Sequence, residues 1–191
     1  MPRTESHPRL YLAIIALWFV AAGALAASGF LATLVPPVPQ AIIGALTVAL
    51  ILAGTLLPGF RVWVAGINLR QLIFFHVTRF VGIAFLVLYG RGELPAAFAL
   101  PAGWGDIAVA TAALGLVLLV PDLIAHRALL VAWNVLGFAD ILYAVGSGSR
   151  AALADPMSMA PLLHFPLALV PFFLVPLVIG SHLQLFFRLK G

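Results

Sequence analysis

Of the chain's 191 residues, 64% are hydrophobic and 8% charged, whereas an ordinary soluble domain carries about 25% charged residues. So short a chain cannot bury that much apolar surface in one core, which excludes a soluble globular fold and leaves lipid as the solvent. The net charge of +4 comes from basic residues scattered singly, with no patch to follow a phosphate backbone, so nucleic acid is excluded as a partner. The absence of cysteine removes disulfides, thiolate zinc sites and iron–sulfur clusters.

Six stretches are long and apolar enough to be membrane spans: Leu10 to Leu34, Gln40 to Leu57, Gln71 to Tyr89, Trp104 to Val120, Ala128 to Val145 and Met157 to Phe187. The first follows a short basic tail and looks superficially like a signal peptide. It is long enough to span and no polar region follows it, so it is expected to stay as the first helix. Proline and glycine mark the gaps, at Pro36, Pro37 and Pro39, at Pro58-Gly59, from Gly90 to Gly103, at Pro121-Asp122, and from Gly146 to Asp155.

Small residues recur four apart at Ala22/Ala26, Gly23/Ala27 and Ala45/Ala49/Ala53, then at Ala108/Ala112 and Thr111/Gly115. Such stripes let helix backbones approach closely, so the bundle is expected to be compact. In the sixth stretch Pro156, Pro161, Pro166, Pro171 and Pro176 recur every five residues. Each interior proline removes a helical hydrogen bond, so this helix is expected to bend or unwind. With the N-terminus inside, Arg3, Arg9, Arg61, Arg70, Arg127, Arg188 and Lys190 fall on the cytoplasmic side, and only Arg91 and Arg150 fall outside. The expected fold is an all-α integral membrane protein: a single six-helix bundle with both termini cytoplasmic and a proline-kinked sixth helix.

Arg79 is the sharpest functional signal. It sits at the middle of the third stretch, where an arginine costs about 2.5 to 3.5 kcal/mol to insert, so it must find a counter-charge or a wet cavity. Asp140, in the outer half of the fifth stretch, is the expected partner. His76 lies one turn from Arg79 on the same face, and Asn134 precedes Asp140 on its helix. Asp106 follows Gly103-Trp104-Gly105 at the expected start of the fourth span and reads as a helix N-cap; Asp155 before Pro156 reads the same way. Met157, Met159 and His164 carry the thioether and imidazole groups that suit copper(I), though the spacing matches no strict motif. His76 and His164 are expected about 15 Å apart in depth, too far to share one haem iron. His7, His126 and His182 read as solvated or interfacial. No hydrolase, zincin or P-loop motif is present, so the reading leans away from an enzyme.

The run Gly90-Arg91-Gly92-Glu93-Leu94-Pro95 to Pro101-Ala102-Gly103-Trp104-Gly105-Asp106, preceded by Arg79-Phe80-Val81-Gly82, resembles a pattern in small bacterial inner-membrane proteins described only as hypothetical. That resemblance implies a bacterial plasma membrane and carries no activity. The expected function is binding of a small solute, an anion or a proton, extending to transport. Its site would be built from Arg79 and Asp140 and lined by His76, Asn134, Asp106 and His164. One alternative is an accessory subunit in which the charges only lock helices, its apolar loops meeting other membrane subunits or a second copy. The other is a haem or copper protein.

Overall fold

The structure, a computed structural model, describes residues 7–190; Arg3, counted above on the inner side, lies outside them. The described residues form helices and no strand. Six helices are long and apolar enough to cross a membrane, as in a multi-pass membrane protein: Pro8–Ala27, Val38–Leu56, Leu69–Gly90, Ala96–Leu119, Arg127–Ala154 and Val170–Leu189.

The chain divides into two compact units. Residues 1–67 and 160–180 form the first, with α1 (Pro8–Ala27), α2 (Val38–Leu56) and α3 (Pro58–Gly66). Proline in the first turn starts all three, where a missing N–H costs nothing. Gly29, in the left-handed region at φ 79°, lets the chain turn after α1. Ala26, Leu31, Ala168 and Phe172 form this unit's buried core, and the Trp18 indole N–H donates to Phe172 O at 3.0 Å. Of the small-residue stripes, Ala22 and Ala26 face inward as expected, whereas Ala45 and Ala49 are exposed.

Residues 68–159 and 181–191 make up the second unit. Its first span runs through α4 (Leu69–Phe74), a 3-10 segment (Phe75–Val81) and α5 (Gly82–Gly90). Asn68 caps α4, its side-chain oxygen accepting from Arg70 N at 2.8 Å. Next come α6 (Ala96–Leu119) and α7 (Arg127–Ala154), both longer than their spacing suggested. The fourth span starts at Ala96 rather than Trp104, and the fifth runs to Ala154 rather than Val145. Of the glycines in those gaps, Gly103 and Gly148 are packing residues, whereas a Cβ at Gly90 or Gly146 would meet nothing within 4 Å. A Cβ at Gly82 would lie 2.8 Å from Asp106 Cβ and would strike Gly103 O, and one at Gly103 would lie 2.6 Å from Leu86 Cδ2. Gly148 packs against Phe98 and Met159. Pro101 sits inside α6.

The buried stripe of α6 also differs from the expected one: Ala102, Gly103, Asp106, Ala110 and Ala113 face inward, while Ala108, Thr111 and Ala112 are exposed. The last stretch begins as a 3-10 segment at Pro156–Leu163, passes through a π turn at Val170–Leu174 and becomes α8 (Val175–Leu189). Its membrane-length part starts at Val170 rather than Met157.

Candidate functional site

The second unit buries a polar cluster in which Arg79 is central. The segment carrying it is a 3-10 helix, in which side chains three residues apart eclipse one another. His76 and Arg79 therefore stack on one face, and both are fully buried, at 0% and 1% exposure.

Asp106 and Asp140 approach from α6 and α7. Arg79 is at the middle of Leu69–Gly90, Asp106 near the middle of Ala96–Leu119 and Asp140 at the middle of Arg127–Ala154. Three charges on successive helices thus share one level. Every guanidinium nitrogen of Arg79 has an acceptor: Nε donates to Asp106 Oδ1 at 2.5 Å, Nη1 to Gly137 O at 2.9 Å, and Nη2 to Asp140 Oδ2. Gly105 makes room for the last of these, because a Cβ there would run into the Asp140 carboxylate.

One turn away, a second layer holds two buried imidazoles. The His76 and His182 ring centroids are 4.3 Å apart, and Trp133 packs edge-on to His76 at 5.0 Å. His76 Nε2 lies 3.0 Å from Ser181 Oγ, and His182 Nδ1 lies 2.8 Å from Asn134 Oδ1. Asn134 also donates from Nδ2 to His182 O at 3.2 Å. His76 Nδ1 and His182 Nε2 are buried without a hydrogen-bond partner. Gly137 joins the layers: its carbonyl takes Arg79, and a Cβ on it would lie 2.8 Å from His182 Cε1.

Of the residues singled out from the sequence, Arg79, Asp140, His76, Asn134 and Asp106 come together here. Asp106 is not a helix cap. It lies inside α6, 4% exposed, with Arg79 as its partner. Asp155 does act as one, its Oδ1 accepting from Met157 N at 3.0 Å. His164 belongs to the other unit, where it is exposed with Nδ1 2.9 Å from Ala160 O. Met157 is exposed at 74% while Met159 is buried, so the two thioethers do not share an environment.

His182 corrects the interfacial reading, because it is fully buried in this cluster. Its signal was the sixth helix continuing to Leu189, with Ser181-His182 on the face that also buries Val178 and Leu185. His126 is exposed, with Nδ1 2.8 Å from Asp122 O. Among the described residues no group of three or more histidine and acidic side chains is arranged to hold a metal ion.

Fold and cluster together define an all-helical chain with six membrane-length helices and a buried core of one arginine, one aspartate and two histidines, with the half-buried Asp140 at its edge. By sequence the chain belongs to a family described as a domain of unknown function (DUF8737), whose model matches residues 36–190. No curated protein and no solved structure matches it.

Proposed function

We propose that this is a multi-pass protein of a bacterial plasma membrane, with both termini cytoplasmic, whose Asp106–Arg79–Asp140 cluster binds a proton as part of moving protons or a proton-coupled small solute. The supporting observation is the charge count. Two carboxylates, Asp106 buried and Asp140 half-buried, share one guanidinium, so with both ionised the cluster carries one uncompensated negative charge. Even partly compensated ions cost several kcal/mol each in a low-dielectric interior. A single bound proton restores neutrality.

The same geometry argues against an anion site. Each nitrogen of Arg79 is already engaged, and an incoming anion would meet two carboxylates. A purely structural lock would need only one carboxylate, and the second makes the interior more expensive to assemble. Haem held between the buried imidazoles as its two axial ligands is disfavoured as well. Imidazoles on opposite sides of a metal keep their centroids about 6 Å apart given metal–nitrogen bonds near 2 Å, against 4.3 Å for His76 and His182. Asp140 is the more accessible of the two carboxylates, its side chain 18% exposed against 6% for Asp106.

Infrared spectroscopy of the protein in lipid films tests the reading. The wild type should show a protonated-carboxyl stretching band that Asp140→Asn or Asp106→Asn removes. A spectrum with ionised carboxylates alone at neutral pH refutes it.

A further inference from the structure

The imidazole pair has no role in the charge count, yet it is buried beside the cluster with two ring nitrogens unpartnered. The hydrogen bonds fix the protonation of one ring. Asn134 donates from its amide nitrogen to the His182 carbonyl, which can only accept, and this turns the amide oxygen toward His182 Nδ1. That oxygen is also only an acceptor, so Nδ1 carries the hydrogen and Nε2 of the neutral ring holds a bare lone pair. This lone pair lies beside Gly137, where an added Cβ would be 3.2 Å from it. The Gly137 carbonyl receives Arg79 Nη1.

We infer that His182 and His76 form a proton relay leading from the carboxylate–guanidinium cluster toward Ser181. The inference rests on the proton-binding reading of the cluster and gives the bound proton a route. The carboxyl O–H of the protonated aspartate breaks, leaving a carboxylate, as its proton passes through water to His182 Nε2, where an N–H bond forms and the ring becomes imidazolium. It gives up the same proton to His76 Nδ1, directly or through one water, because its own Nδ1–H stays committed to Asn134. His76 then works across its ring: an N–H bond forms at Nδ1 as the one at Nε2 breaks, its proton passing to Ser181 Oγ, 3.0 Å away. As Ser181 Oγ takes that proton, its original O–H breaks and that proton passes to a water molecule. Each ring ends neutral and one proton has moved; His76, left with its hydrogen on Nδ1, returns to its starting tautomer by a turn of the ring before the next transfer. The charge acting on both rings is Arg79, which Asp106 and Asp140 hold in place.

Proton flux into liposomes containing the purified protein and an entrapped pH dye, driven by a potassium diffusion potential, tests the relay. The informative variant is His182→Asn, whose amide nitrogen takes the place of Nδ1 toward Asn134 but which carries no ring lone pair. The relay predicts potential-driven flux in the wild type, reduced at least about tenfold in His182→Asn. It also predicts a nitrogen-15 spectrum of histidine-labelled wild type with His182 protonated at Nδ1 and bare at Nε2, a readout that does not depend on the variant folding. Wild-type flux retained in His182→Asn, or the opposite tautomer, overturns the relay. A wild type without flux above empty liposomes that still shows the carboxyl infrared band overturns the relay and leaves the proton site standing. Loss of that band defeats the proton-site reading itself.

Discussion

Arg79 and its two carboxylates are not interchangeable, and the difference can be measured. Asp140→Asn or Asp106→Asn leaves one cation facing one anion and keeps a carbonyl oxygen for the guanidinium, so both variants should unfold within about 1 kcal/mol of the wild type or above it. Arg79→Gln strands two carboxylates and should cost about 3 to 5 kcal/mol in detergent unfolding. Equal losses in all three would mean that the cluster is not one positive charge short. Arg79 and Asp140 were legible as partners because a mid-span arginine demands a counter-charge. Asp106 was misread because Gly103-Trp104-Gly105 looks like a helix start, although the helix has already run from Ala96. His182 was misread by depth: an estimated span end put it at the interface, and no periodicity in one sequence shows that Asn134 waits for it.

Glycine has two meanings along these helices, and the sequence does not distinguish them. In water-soluble chains it punctuates helices, which is how the runs ending at Gly103 and starting at Gly146 came to be read as loops. Helices in lipid instead use small residues where backbones meet. The contrast can be tested within α6. A Cβ at Gly105 would collide with the Asp140 carboxylate, whereas one at Gly115 meets nothing within 4 Å. Gly105→Ala should therefore destabilise by about 1 to 3 kcal/mol through overpacking, while Gly115→Ala should gain about 0.5 to 1 kcal/mol from the reduced freedom of the unfolded chain. Thermal unfolding of the two variants checks both signs.

At the scale of the molecule, composition dictated most of the architecture: with 8% charged residues, apolar length decides where helices cross, and six membrane-length helices follow. Span ends were less legible, since proline starts α1, α2 and α3 yet sits inside α6. The level shared by Arg79, Asp106 and Asp140 emerges only once those ends are right. It also gives the proposed proton site a depth. A proton reaching the middle of a span crosses part of the membrane field, so its binding must displace charge, which proton binding at the surface does not. Liposomes carrying the protein, adsorbed on a solid-supported membrane and subjected to a rapid drop in pH, report that displacement as a transient current. The wild type should give a transient that Asp140→Asn and Asp106→Asn abolish. A wild-type trace indistinguishable from protein-free liposomes, or a transient of full size in both variants, would contradict a proton site at the centre of the membrane.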